Sequence, residues 1–365
     1  MTALRKPNPE PARPSSRTNA ADVPIRILLI DDSLTVRTVF SRMISREADM
    51  EVVCGVGTAE AGLKELEGAA IDVSLLDLEM PGMGGLEALP LILSRAPKTK
   101  VLVISSLTAE GADHTVTALR MGAADTMLKP RPGGFDDDYR NLLLTKIRAL
   151  KAVDPSTDAL PARTPPKSPG AGKTPEIVAI GASTGGIHAL NLFLTAIPES
   201  FSLPILITQH LPSSFIPVFA KQMEVAARRE AILADDGIEI ARNRLIIAPG
   251  HGHMTVRKSG SRYFTGLAYH PVKSGCMPSV DPMFESLAMA CDGKVAAVLL
   301  SGMGRDGSDG ARTVHDAGGR VYAQNAESCA VWGMPRGVAE DGLACVVAAP
   351  QELATKIAQS VGVDL

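Results

Sequence analysis

The sequence predicts an α/β chain of two parallel-sheet domains. Three observations predict it. Apolar runs of strand length alternate with helical patterns, a proline-rich stretch divides the series, and aromatic residues are scarce. The chain has 365 residues, which at ~150 residues per domain means about two domains. Apolar residues make up 45% and aromatic residues 4%. The cores must then be mostly Ala, Val, Ile and Leu, which suits α/β layers better than a β-sandwich.

Other function classes drop out on composition. The 37 basic and 40 acidic residues leave a net charge of −3, which argues against a broad basic surface for nucleic acid or anionic membrane. No apolar run approaches the ~20 residues of a membrane helix. Residues 1–24 are rich in Pro, Arg and Ser without an apolar block, so they read as a disordered tail and not a secretory signal. The five cysteines (Cys54, Cys276, Cys291, Cys329, Cys345) are scattered and show no Cys-x-x-Cys. They read as free thiols of a cytoplasmic, monomeric protein that neither binds nucleic acid nor inserts into membrane.

Residues 25–150 form the first domain. Strands are expected at Ile27–Ile30, Glu51–Cys54, Val73–Leu76, Val101–Ile104 and Thr126–Leu128. Helical patterns separate them at Leu34–Arg46, Ala59–Glu67, Leu86–Arg95, Glu110–Met121 and Tyr139–Leu150. Five βα units imply a doubly wound parallel sheet with its functional groups at the strands' carboxyl ends. Residues 151–175 carry prolines at 155, 161, 165, 166, 169 and 175. Such a stretch cannot be a helix interior or a central strand, and it reads as a linker. Residues 176–365 form the second domain. Its strand Ile177–Ile180, tight turn Gly181–Gly186 and helix Ile187–Ala196 repeat the βα pattern. Pro204–Thr208 and Val295–Leu300 are further buried strands, and Ile240–Phe264 reads as a β-hairpin excursion.

Asp31, Asp32, Asp77, Ser105 and Lys129 all fall at strand ends of the first domain. One Asp at such a place is often a helix cap. Several in register form a repulsive carboxylate group that requires a cation. All-oxygen ligands favour Mg2+ over Zn2+. A metal-neutralised Asp77 could attack a phosphoryl donor whose oxygens Lys129 and Ser105 would hold.

In the second domain Gly181-Ala182-Ser183-Thr184-Gly185 fits Gly-x-Ser-x-Gly between a strand and a helix. Small neighbours allow a sharp turn that exposes the Ser183 hydroxyl. The helix N-terminus behind it suits an oxyanion or a bound phosphate equally. A hydrolase and a phosphate- or nucleotide-binding regulatory domain therefore both remain open on this segment. A serine needs a base. His210 directly follows a strand and is the best placed of the seven histidines. His188 lies within the helix after Ser183, and His251 and His253 suit a loop role better than half a metal site. Asp306, within Ser301-Gly302-Met303-Gly304-Arg305-Asp306-Gly307, is the natural carboxylate partner, although it could merely cap the next helix. The Thr184 and Met303 amides are candidate oxyanion donors. The order Ser, His, Asp is not that of α/β-hydrolases.

Residues 25–150 resemble the receiver domain of two-component response regulators. The match rests on Asp31-Asp32, on Leu76-Asp77-Leu78-Glu79-Met80-Pro81-Gly82, on Ser105-Ser106 and on Lys129-Pro130. The resemblance implies a flavodoxin-like sheet with Asp77 as phosphoacceptor. It also implies Mg2+ on Asp32, Asp77 and the Glu79 carbonyl, with Ser105 and Lys129 as the switch pair. Many receivers carry Asp where this chain has Gly84. Residues 176–360 resemble the catalytic domain of chemotaxis protein-glutamate methylesterases. That match rests on Ile180–Gly186, Gln209-His210, Ala248-Pro249-Gly250, Pro278-Ser279-Val280-Asp281, Ser301–Gly307 and Trp332-Gly333-Met334-Pro335. The resemblance implies Ser183 as nucleophile, His210 as base and Asp306 as its partner, with no cofactor for the ester reaction. It further implies glutamate methyl esters and glutamines on chemoreceptor cytoplasmic helices as substrates. The phosphodonor would be a chemotaxis histidine kinase. From the two-domain architecture itself follows the expectation that the unphosphorylated receiver packs over the esterase cleft and that phosphate on Asp77 weakens that interface.

Overall fold

The structure is a computed structural model that describes residues 23–106, 108–130, 134–151 and 172–363. The expected tail up to residue 22 and the linker over 152–171 lie outside the described residues.

The first sheet has five parallel strands: β1 (Ile25–Ile30), β2 (Met50–Val56), β3 (Val73–Asp77), β4 (Lys100–Ser105) and β5 (Asp125–Leu128). Their order is β2-β1-β3-β4-β5. Helices α1 (Leu34–Ile44), α2 (Ala59–Gly68), α3 (Gly85–Arg95), α4 (Ala109–Met121) and α5 (Asp137–Lys151) follow the strands in turn. Each element stands where the apolar pattern predicts it. Every β3 residue is buried, because helices cover both faces of a parallel sheet. Ser33, Thr58 and Thr108 cap α1, α2 and α4 with their hydroxyls. Gly84 begins α3 without a side-chain cap, so the missing Asp leaves that helix start bare. The strand order reverses direction between β1 and β3, and this opens a crevice at their carboxyl ends.

The second domain holds β6 (Ile177–Ala182), β7 (Ile205–Gln209), β8 (Ala231–Leu233), β9 (Leu245–Ile247), β10 (His253–Ser259), β11 (Arg262–Ala268), β12 (Val295–Leu299), β13 (Arg320–Gln324) and β14 (Ala344–Ala348). Seven of these form a parallel sheet in the order β14-β13-β12-β6-β7-β9-β8, while β10 and β11 pair antiparallel apart from it. Helices α6 (Gly186–Ala196), α7 (Ile216–Ala227), α8 (Val280–Ala290), α9 (Ser308–Asp316), α10 (Met334–Glu340) and α11 (Pro350–Ser360) complete the domain. The excursion expected over Ile240–Phe264 is therefore two things. Leu245-Ile246-Ile247 is a fully buried strand of the main sheet, as its unbroken apolar run befits. The hairpin starts later, at His253, and its alternating residues pack one face on α8.

Strand β6 divides the core. Val178, Ile180 and Ala182 face the layer that holds Leu190 and Phe193 of α6, while Ile177 and Ala179 face Phe284 and Leu287 of α8. This is the two-residue alternation of a strand covered on both sides. Since β7 lies on one flank of β6 and β12 on the other, the crevice of this second sheet opens beside β6.

The two domains touch. Helix α4 packs along α6. The His188 ring pairs with the Arg120 carbonyl at 2.9 Å, and Gln222 donates to the Thr117 hydroxyl at 3.1 Å.

Candidate active site

The β6 strand ends in a turn that holds Ser183 by its backbone. The Ser183 N–H donates to the Ser301 carbonyl after β12, at 3.0 Å. The Ser183 carbonyl accepts from Gly186 N–H at 2.8 Å and from Gln209 Nε2 at 3.0 Å. Gly185 has φ 75°, a left-handed conformation that a glycine adopts without strain. A Cβ on Gly302 would stand 2.8 Å from Ser183 Cβ, so that glycine is what lets the β12 loop approach. Ser183 itself is half-buried.

His210 begins one residue beyond β7, and its N–H donates to the Ala182 carbonyl at 2.9 Å. Ser183 and His210 thus leave neighbouring strands side by side, and both line one cavity. The third strand end brings Asp306. His210 Nε2 lies 2.7 Å from Asp306 Oδ2, although 96 residues separate them in sequence. Asp306 does not cap α9, whose N-cap is Gly307. Its Oδ1 accepts from Ser279 Oγ at 2.6 Å, and its Oδ2 accepts from the N–H of Val280 at 2.7 Å. The Asp306 side chain is fully buried. Burial alone would raise its pKa, but the His210, Ser279 and Val280 donors outweigh it and hold the carboxyl down at about 2. Burial likewise works against a charged imidazole, yet Asp306 and the nearby Cys276 thiol raise His210 to about 9. Close by, burial and the Asp306 carboxylate push Asp281 up to about 7, while its Oδ1 accepts from Gly310 N–H at 2.8 Å.

Two contributors, Ser279 and Asp125, were not singled out from the sequence. Ser279 lies within the quoted Pro278-Ser279-Val280-Asp281, which carried no chemical cue for its hydroxyl. Behind it, Ser279 N–H donates to His253 Nδ1 at 3.0 Å, and His253 Nε2 donates to the His270 carbonyl at 3.0 Å. His253 is therefore a buried spacer at the first position of strand β10, not in the loop expected of it from the sequence, with both ring nitrogens engaged. The second is Asp125 of the first domain, which accepts from the Thr184 hydroxyl at 2.6 Å and from Lys146 Nζ at 2.5 Å. The Thr184 side chain is thus turned toward the other domain. Met303 exposes its side chain and lines a separate cavity of about 450 Å³ beside Trp332. Trp332 is buried and donates from Nε1 to the Gln324 carbonyl at 3.2 Å.

The Ser183–His210 cavity measures about 520 Å³. Its other wall belongs to the first domain and includes Met127, Lys129, Tyr139 and Lys146.

The first domain gathers its own cluster. Asp31, Asp32 and Asp77 each place a carboxylate oxygen within 4.8 Å of the others. Lys129 Nζ lies 2.5 Å from Asp77 Oδ2 and 3.3 Å from Asp31 Oδ2. Burial, together with the Asp31 charge, lifts Asp77 to about 6 against the pull of Lys129 and the Glu79 N–H. Ser105 Oγ is buried without a hydrogen-bond partner among the described residues. The Glu79 carboxylate accepts from Ser106 Oγ at 2.5 Å, which places Glu79 beside this group. A hard divalent cation fits the oxygen donors, and an incoming anion would satisfy the orphaned hydroxyl.

Comparison with known proteins gives the same two parts. Residues 27–134 match the response regulator receiver domain, and residues 178–357 match the CheB methylesterase family. The protein-glutamate methylesterase/protein-glutamine glutaminase 1 of Paramagnetospirillum magneticum is 39% identical over 361 residues, spanning 90% of this chain and 94% of that one. The chain belongs to the chemotaxis protein-glutamate methylesterase family. It is with that family an enzyme of the hydrolase class and a response regulator. The protein-glutamate methylesterase/protein-glutamine glutaminase of Thermotoga maritima is 37% identical, over 92% of this methylesterase and 98% of that relative. The Thermotoga maritima CheB methylesterase catalytic domain, a crystal structure, is 33% identical with a TM-score of 0.49, over 51% of this chain and 98% of that one.

Proposed function

We propose that this chain is a phosphorylation-activated serine hydrolase that removes methyl esters from glutamate side chains on chemoreceptor cytoplasmic helices. The observation that carries the reading is the 2.7 Å pairing of His210 with Asp306 beside the half-buried Ser183. Ser183 Oγ attacks the ester carbonyl, and its proton passes to the ring nitrogen of His210 that Asp306 leaves free. The buried carboxylate orients the ring and stabilises its cation. The backbone N–H groups of Thr184 and Met303 receive the tetrahedral oxyanion, a type of contact worth ~10²–10³ in turnover each. His210 then protonates the departing methanol. A water, deprotonated by the same ring, resolves the glutamyl-serine ester to a free carboxylate and restores Ser183. A glutamine would follow the same route with ammonia as leaving group.

The regulatory half rests on the first domain. Asp77 accepts the phosphoryl group from a histidine kinase; Asp32, Asp77 and the Glu79 carbonyl would hold Mg2+, which when bound would supply positive charge to offset the carboxylate and phosphoryl oxygens. Lys129 and Ser105 receive the phosphoryl oxygens. Lys129 also lines the cavity of Ser183, so movement at Asp77 has a short path to the hydrolytic site. The unphosphorylated first domain walls that cavity and limits entry of a receptor helix.

The test is methanol release from methylated receptors, with and without a small-molecule phosphodonor. Full-length protein should release methanol faster with the donor, and Ser183→Ala should release essentially none. Turnover by Ser183→Ala equal to wild type would end the reading.

A further inference from the structure

Cys276 has no part in the hydrolysis described above. It lies on the irregular stretch between β11 and α8, where its sulfur makes a long 3.8 Å contact to the Ser274 carbonyl and also interacts with the His210 ring. Yet one ligand atom each from Cys276, His210 and Asp306 lies within 4.8 Å of the others. A thiolate, an imidazole and a carboxylate are together a donor set for Zn2+ and a poor one for Mg2+. Three protein donors leave one position for water, the coordination of an accessible zinc site. Cys276 and His210 are half-buried, so solvent reaches the group. The neighbours of Cys276 favour adjustment: Lys273, Ser274, Gly275 and Met277 are all exposed, so little packing resists the small shift that a zinc–sulfur bond of ~2.3 Å needs. The acidic group at Asp31, Asp32 and Asp77 is the opposite case, with oxygen donors alone.

We propose that a zinc-class divalent cation binds His210, Cys276 and Asp306 and reversibly shuts off the hydrolysis. Binding forms a metal–sulfur and a metal–nitrogen bond. The thiol proton leaves to water, a neutral ring shifts its proton to the nitrogen that faces Ser183 while a charged ring keeps that proton and loses the one on the bound nitrogen to water, and no electrons are transferred. Asp306 exchanges its His210 partner for the metal. The imidazole lone pair then belongs to the cation, and Ser183 has no base. The inhibitory half of this proposal rests on the hydrolytic reading above, whereas the metal site itself does not.

The experiment uses the full chain with Co2+ as optical probe and Zn2+ as inhibitor. One equivalent of Co2+ should produce a thiolate-to-cobalt charge-transfer band in wild type, which Zn2+ displaces. Cys276→Ser should lack that band. Zn2+ should suppress methanol release and a chelator should restore it. Cys276→Ser, measured against its own metal-free rate, should need at least tenfold more Zn2+. A wild type without the band, a band that survives Cys276→Ser, or equal Zn2+ sensitivity of the two proteins would overturn the proposal. Failure to release methanol in chelator would strike the hydrolytic reading and the inhibition with it, while the cobalt band would still decide the site.

Discussion

The hydroxyl of Thr184 donates to the carboxylate of Asp125 across the boundary between the two domains, at 2.6 Å. Thr184 follows Ser183. Asp125 opens β5, and four residues further along Lys129 grips Asp77 at 2.5 Å. One short strand therefore connects the two sites, and Lys146 steadies its Asp125 end.

Loosening this contact should release the enzyme. A hydrogen bond to a charged group is worth ~1.5–3 kcal/mol, and ~1.4 kcal/mol is a factor of ten in an equilibrium. Thr184→Val removes the hydroxyl and keeps the amide, while Asp125→Ala removes the acceptor. Both should raise the rate of the unphosphorylated protein several-fold, toward the phosphodonor-stimulated rate. An unchanged ratio of stimulated to basal methanol release in both variants would show that the contact does not restrain the enzyme.

Ser279 positions Asp306 without facing the substrate. Its buried hydroxyl supplies one of the three hydrogen bonds on that carboxylate. Ser279→Ala should lower kcat by roughly tenfold, from a charged hydrogen bond of ~1.5–3 kcal/mol, and leave KM nearly unchanged. A KM effect with kcat intact would place Ser279 in substrate binding instead.

The pH profile should report His210. Its pKa stands near 9, so the neutral base that Ser183 needs becomes abundant only as pH approaches that value. In chelator-containing buffer kcat should climb between pH 7 and 9. Stability should run the other way. A raised imidazole pKa stabilises the fold fully below the ordinary value of 6.5, and this contribution is lost as pH rises toward 9. Asp306, held near 2, contributes above 3.8 and loses its contribution as pH falls toward 2. A rate that is flat from pH 7 to 9 would argue that proton transfer through His210 does not limit turnover.

Mg2+ should raise the Tm of the full chain through the Asp31, Asp32 and Asp77 group. A ligand at a hundredfold excess over Kd adds ~2.7 kcal/mol. Asp77→Asn should abolish this rise, and EDTA should reverse it in wild type. An equal Mg2+ effect on the Asp77→Asn protein would move the cation elsewhere.

Much of this molecule was legible before any coordinates. All five strands of the first sheet were readable from runs such as Val101–Ile104, since a strand buried on both faces is a local apolar run bounded by turn residues. Ser183 and His210 stood out because each comes within three residues of the end of such a run, and Asp306 because it lies in the glycine-rich turn after Val295–Leu300. Leu245–Ile247 was misplaced in a hairpin because three apolar residues do not tell by themselves which strand they pair with.

The sequence by itself determined the local pieces: which segments are strands, which turns carry glycine, and which reactive side chains sit at strand ends. Only the tertiary structure decided that β12, β6 and β7 are neighbours, and so that Asp306 meets His210 beside Ser183. Only it brought Ser279 and Cys276, on one loop before α8, against that pair, and set Asp125 against Thr184. Backbone preferences act over a few residues and are written locally. Adjacency across 59 or 96 residues follows from which apolar faces bury together, a property of the whole packed chain.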